Sequence, residues 1–285
     1  MKRISILASV LLFPLLVKAN QLQSISTPLP TSTFDGNISY FGYFSAEVQD
    51  VQSKNPGIYS YHLLAFNYNY SPRYTWSLRP TFTYESEGTR WGDKLPARLR
   101  MADSNITLID QRPLDLPATW GSKLNYKLVL PTDPEWQKAG TLAGLGINFE
   151  IYKDLPNAFS LGYYPKGFVL LNTKEQYLTD YDGYDVIKPT QSVQIEQWVR
   201  LTKYFGDRLS LSQGVGYKTY IFNASTKNQR QQTNHALLES TVNLSVNNNV
   251  DISVGIAQEH ISHERSWQPY HDEESTYIFM TSIRI

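Results

Sequence analysis

From Tyr74 to Glu85 apolar and polar side chains alternate: Tyr74, Trp76, Leu78, Phe82 and Tyr84 fall on one side of an extended chain, Thr75, Ser77, Arg79, Thr81, Thr83 and Glu85 on the other. Successive strand side chains point to opposite faces, so this pattern predicts a strand with one apolar and one polar face. Pro80 lies on the apolar side and has no N–H for a ladder, which predicts a bulge or a local break there. The same alternation recurs in 122–130, 141–151, 192–202, 208–221, 236–246 and 250–259. In 141–151, for example, Thr141, Ala143, Leu145, Ile147, Phe149 and Ile151 oppose Gly144, Gly146, Asn148 and Glu150. Each segment is about ten residues long, the length with which a tilted strand crosses a bilayer. Segments 38–48, 57–68, 98–110 and 157–164 carry aromatics on both faces, and with 275–285 the expected number of strands is twelve, within a range of 10–14.

The links between these segments predict how the strands are joined. In the second half of the chain, 153–157, 204–207 and 247–249 are short and built from Gly, Asn, Asp and Pro, as tight turns require, while 165–190, 223–234 and 260–274 are long. This is the layout of a closed antiparallel transmembrane barrel with periplasmic turns and extracellular loops. The link 111–121 is long for the turn side.

Composition refines the picture. Mean hydropathy is −0.38 and no stretch after residue 19 is apolar enough for a membrane helix. Barrels nevertheless average to a hydrophilic sequence, because lumen-facing polar residues offset the lipid-facing ones. Twenty Tyr and six Trp suit the aromatic girdles of such a wall. Lys2 and Arg3, the apolar run Ile4–Val17 and the Val17-Lys18-Ala19 site form a secretory signal peptide over 1–19, leaving a periplasmic segment 20–36 and a barrel 37–285. Cysteine is absent, which excludes disulfides, thiolate metal sites and a cysteine nucleophile. The chain carries 26 basic and 26 acidic residues, and nothing in this balance suggests a nucleic-acid partner.

In the last segment Tyr277, Phe279, Thr281, Ile283 and Ile285 alternate with Ile278, Met280, Ser282 and Arg284. This resembles the terminal strand signal of bacterial outer-membrane β-barrel proteins, departing from it by Ile285 where the family usually has Phe. The resemblance implies export by the general secretory route, an outer-membrane location among its lipids, and assembly by the barrel-assembly machinery through this strand.

Alternation places Arg79, Lys123, Lys127, Arg200, Arg208, Lys218 and Arg284 in the lumen with Glu85, Glu150, Glu196, Glu239, Asp251 and Glu259. Seven basic and six acidic groups nearly cancel, which points to a narrow channel for small solutes with weak charge selectivity. The same charges could instead pair and close the lumen, and the long loop 165–190 with Tyr177, Tyr181 and Tyr184 could serve adhesion. Enzymatic activity, a cofactor and a metal are not expected. The outer-membrane phospholipase pattern needs a His and a Ser two residues apart on a lipid-facing strand, whereas His235 is followed by Ala236 and Leu237, and Ser240 falls on the other face. The loop residues Glu259, His260, His263, Glu264, His271, Asp272, Glu273 and Glu274 have no fixed ligand spacing and read as a solvated loop, and His62 reads as a lumen or interface residue.

Overall fold

An antiparallel pair buries one face and leaves a hydrogen-bonding edge on each side, so alternating strands continue to pair until the edges meet. In the computed structural model this happens after twelve strands. They are β1 (Gly36–Glu47), β2 (Tyr59–Asn69), β3 (Tyr74–Arg79 and Thr81–Glu85), β4 (Arg98–Met101 and Asn105–Asp110), β5 (Trp120–Val129) and β6 (Thr141–Leu155). The second half comprises β7 (Phe159–Asn172), β8 (Gln191–Phe205), β9 (Leu209–Phe222), β10 (Gln232–Asn247), β11 (Val250–Ile261) and β12 (Ser275–Arg284). Each pairs with its sequence neighbour, and β1 pairs with β12 from Ser39↔Arg284 to Glu47↔Thr276, closing the barrel. The structure describes residues 36–285 apart from 53–56, 91–92, 96, 182–183, 224–230, 263–268 and 272–273. The signal peptide 1–19, nearly all of the segment 20–36, and His263, Glu264, Asp272 and Glu273 lie outside these residues.

Both interruptions of the wall follow from local chemistry. Pro80 divides β3, as its missing N–H requires, and its carbonyl accepts instead from Leu64 N at 3.1 Å. In β4 the break falls at 102–104, where Ser104 N donates to the Thr132 hydroxyl at 2.9 Å and Leu130 N to Ser104 O at 2.8 Å, so the chain after β5 patches the gap.

The turn end carries 70–73, 111–119, 156–158, 206–208 and 248–249, together with Gly36 and Arg284. Asn157 and Ala158 have φ of 61° and 57° and Gly206 has φ of 68°, the left-handed conformations that tight hairpins demand. The long link 111–119 is real. It is fastened by a bidentate pair from Arg73 to Asp110, 2.8 Å at both oxygens, while Asp110 also accepts from Arg112 N at 3.0 Å. The opposite end carries helices α1 (Val48–Gln52) and α2 (Pro134–Lys138) and the loop hairpins Gly88–Arg90/Asp93–Leu95 and Gln176–Tyr181/Tyr184–Pro189. The expected loop 165–190 is therefore shorter than its sequence suggests. β7 runs on to Asn172 and most of the remainder is a hairpin.

Burial is inverted relative to a soluble domain. Ser77, Thr81, Thr83, Thr107 and Asn125 are buried, whereas Trp76, Leu78, Tyr126, Leu128, Leu145, Val215, Val242, Val254 and Phe279 are exposed on the outside. So large an apolar girdle is not tolerated in water, and a closed barrel is one of the two structures that satisfy every backbone group in lipid. At the turn end Lys153 lies over the Trp120 ring at 5.1 Å and Lys203 over Phe159 and Phe205 at 4.5 and 5.9 Å, aromatic and snorkelling groups that mark a membrane–water boundary.

The facing expectations hold for most positions; Thr141 is corrected, and of the two readings of His62 the lumen one fails. A register shift between Thr141 and Ala143 turns Thr141 inward onto Asn172, 2.7 Å away, and leaves Leu142 exposed. Ile151 shares the outer face with its partner Tyr163 but is fully covered there. His62 is not a lumen residue. It faces outward, its ring stacked on Phe82 with centroids 4.8 Å apart and edge-on to Phe44.

Candidate functional site

The lumen is built from positions that alternate with the apolar girdle, so each inward side chain is fixed by the register of its strand. One row runs obliquely along the wall through paired positions: Asn148↔Lys166 on β6–β7, Lys166↔Glu196 on β7–β8, Glu196↔Lys218 on β8–β9 and Lys218↔His235 on β9–β10. Lys166 Nζ bonds Glu196 at 2.6 Å, and Glu196 also accepts from the Trp198 indole at 2.6 Å. Lys218 Nζ bonds Glu259 at 2.6 Å, and His235 Nδ1 lies 2.8 Å from the same carboxylate, close enough for attraction but off the hydrogen-bond direction.

Further toward the turn end Arg200 bonds Glu239, two strands away, by passing over Gly214. Arg284 reaches Asp251 at 3.3 Å, and Arg79 donates to Ser77 at 2.9 Å. Glu150 accepts from Asn125 at 3.3 Å and sits opposite Lys123. Lys127 shares this inward face of β5, and Glu85 pairs with Arg100 of the adjacent strand at 3.3 Å.

All these pairs join groups on the same strand or on strands one or two apart. They line the wall rather than bridge the lumen. Two large inward rings, Trp198 and Phe168, behave in the same way. Trp198 lies flat over Gly216 and Gly214, where an added Cβ on Gly216 would sit 2.7 Å from the ring and 2.8 Å from the Gln197 carbonyl. Phe168 lies over Gly144, where a Cβ would meet it at 2.5 Å. Glycine at these positions makes room for an aromatic ring against the backbone. Twelve strands at the usual spacing and tilt give a backbone diameter of about 24 Å.

Twelve of the thirteen expected lumen residues are on this wall. Arg208 is the exception, exposed in the turn 206–208 because β9 begins at Leu209. Lys166 takes its place, so the near balance of charge survives. Sequence reading missed Lys166 because β7 carries apolar side chains on both faces there, Phe168 and Leu170 inward with Val169 and Leu171 outward, and Pro165 and Gly167 flank the lysine like loop residues.

Two polar clusters face away from the lumen. The first surrounds His62, whose Nδ1 is 2.7 Å from the Tyr40 hydroxyl and whose Nε2 is 3.0 Å from Ser60 Oγ. Ser60 Oγ donates its single proton to Tyr84 O at 3.0 Å, so the chain runs from Tyr40 O–H to Nδ1, from Nε2–H to Ser60 and from Ser60 to Tyr84. The second divides the His/acid-rich loop. Glu259 faces the lumen, whereas His260 faces outward and bonds Glu274 at 2.9 Å, with Gln258 bonding Glu274 at 2.9 Å and Tyr270 N at 2.6 Å. The Tyr270 hydroxyl ends on Ser240 and Gln213, so this strap satisfies outward polar groups that lipid could not. His235 and Ser240 lie on opposite faces of β10, as expected. Among the described residues no group of three His, Asp or Glu could hold a metal.

At the loop end α2 and the hairpin Gln176–Pro189 fold against the lumen mouth. Thr179 Oγ1 and Lys138 Nζ both donate to Glu135, at 2.9 Å each, and Lys174 Nζ donates to Lys138 O at 2.9 Å. Partial burial alone would raise the Glu135 carboxyl, but these hydrogen bonds and the nearby Lys138 and Lys188 outweigh it and hold the group below its ordinary range. Burial pushes the Tyr177 phenol up, and Glu135 and Asp133 add to this. A depressed folded value means that the clasp contributes fully above the ordinary carboxylate range and is lost as pH falls through the folded value. Hydrogen exchange at Thr179 and its neighbours is expected to accelerate in acid, and Glu135→Gln to show the fast exchange already at neutral pH. Equal exchange at both pH values in the wild-type protein would contradict the clasp.

No family model and no curated protein matches the chain. Among solved structures it resembles an outer membrane channel from Pseudomonas putida, with a TM-score of 0.60 at 9% identity over 90% of this chain and 97% of that one. It also resembles the β domain of the Bordetella autotransporter BrkA, TM-score 0.49 at 10% identity over 88% and 98%, and the NanC porin, TM-score 0.48 at 6% identity over 87% and 100%. The chain thus has the fold of the bacterial outer-membrane β-barrel proteins, a closed twelve-stranded transmembrane barrel.

Proposed function

We propose that the protein is a narrow outer-membrane channel for small solutes with weak preference for the sign of charge. The observation that carries this reading is the arrangement of the lumen wall. Among the described residues the ion pairs of the wall run between strands one or two apart, and the rings of Trp198 and Phe168 lie against glycines of neighbouring strands. The likeness to an outer membrane channel agrees with it at the level of the fold. Assembly through the β12 segment Tyr277–Ile285 belongs to the same proposal.

A hydrolytic role is not part of it. Ser60 and His62 are adjacent on the outer face of β2, but Ser60 is 2% exposed and its proton is given to Tyr84 O. Nε2 of His62 therefore carries a proton and cannot act as a base toward Ser60. Proteoliposomes containing the folded barrel are expected to swell in small neutral and charged solutes at comparable rates. Liposomes that remain tight with correctly folded barrel would overturn the channel reading.

A further inference from the structure

The lumen mouth at the loop end contains a pocket of about 160 Å³ between α2, the hairpin Gln176–Pro189 and the ends of β6, β7, β8 and β9. Its rings are Trp136, Tyr177 and Phe222, and its polar side chains are Thr141, Asn172, Lys188 and Gln191. The volume is close to that of the roughly 150 Å³ cavity that holds one benzene ring, so the pocket seats the ring of a ligand and its substituents must reach out toward the lumen. An apolar cavity of that size would stay dry, but here hydroxyl, amide and ammonium groups share the lining with the rings.

The frame of the pocket is tied together by hydrogen bonds among its own elements. Asp133 caps α2 by accepting from Glu135 N at 2.7 Å, the Thr179–Glu135 clasp ties helix to hairpin, and Thr173 N donates to Gly140 O at 2.9 Å. Asn172 is held from both sides: its oxygen accepts from Thr141 at 2.7 Å and its amide donates to Gln191 O at 2.5 Å, which leaves the second N–H of that amide. Trp136 is braced by Phe168, centroids 5.7 Å apart. Preorganised groups of this kind lower the ordering cost of binding.

We propose that this pocket binds one pyranose ring of a small sugar. A pyranose has a C–H face that packs on an aromatic ring and a rim of hydroxyls that both donate and accept. The pocket offers these two complements together, rings on one side and Thr141, Asn172, Gln191 and Lys188 on the other. A plain aromatic acid would pack on the rings but brings no rim of hydroxyls to meet the remaining N–H of the Asn172 amide. The assignment deepens the channel reading and rests on it for the route by which the sugar passes on.

Ligand-observed saturation-transfer NMR on the folded barrel in detergent tests it without requiring conduction. Glucose, galactose and N-acetylglucosamine are titrated separately, with benzoate as the competing chemistry. At least one pyranose is expected to saturate in the millimolar range, and Trp136→Ala and Gln191→Ala, each verified by the mobility difference between unboiled and boiled samples, to weaken it about tenfold, a change of about 1.4 kcal/mol. Saturation by benzoate alone, the absence of any saturation, or pyranose binding unchanged in both variants would overturn the proposal. A barrel that binds sugar but does not conduct would defeat the channel reading and leave this one standing, and the reverse outcome would do the opposite.

Discussion

Arg200→Glu is expected to shift the reversal potential of the channel strongly toward cation preference, while Arg208→Glu leaves it where it was. Arg200 is inward on β8, a third exposed and bonded to Glu239 over Gly214, so its replacement by an acid changes the lumen charge by two and sets two carboxylates against each other. In a wall where opposite charges otherwise nearly cancel, an uncompensated pair of that size dominates the local field. Arg208 is exposed in the turn 206–208 outside the wall, where salt screens it within about 8 Å. Both variants belong in the same asymmetric-salt measurement. Equal shifts in the two, or none in Arg200→Glu with conduction retained, would show that the inward assignment of β8 is wrong.

Gly216→Ala is expected to narrow the path and to destabilise the barrel. The added methyl would lie 2.7 Å from Trp198 and 2.8 Å from a backbone carbonyl that cannot move without breaking the β8–β9 ladder. The ring must therefore leave the wall for the lumen, with an overpacking cost of about 1–3 kcal/mol. Conductance should fall in Gly216→Ala and recover in the double variant with Trp198→Ala, which removes the displaced ring. A single variant that conducts like the parent would mean that Trp198 is not seated on Gly216.

Much of this architecture is legible in the sequence because a bilayer imposes a period of two on every strand. β3, β5, β8, β9, β10 and β11 alternate cleanly, and Pro80 announces its own break. Legibility fails where the outer face is not lipid or the inner face is not polar. β7 is apolar on both sides since Phe168 and Leu170 pack inward near the mouth, which hid Lys166. Thr141 was misassigned because a register shift is invisible to parity. His62, His260 and Gln258 break the outward pattern because neighbouring rings or a returning loop cover them, contacts far apart in sequence. The mouth pocket was illegible for the same reason, its lining drawn from Trp136 to Phe222 by loops whose docking no local pattern encodes.

The central claim is that the wall surrounds an open path, and planar-bilayer recording of the purified barrel addresses it most directly. Stable single-channel steps of small amplitude, with a reversal potential close to zero in asymmetric salt, are the predicted result. A silent bilayer, with protein whose unboiled and boiled forms still migrate differently and whose circular dichroism remains that of β-structure, would contradict it.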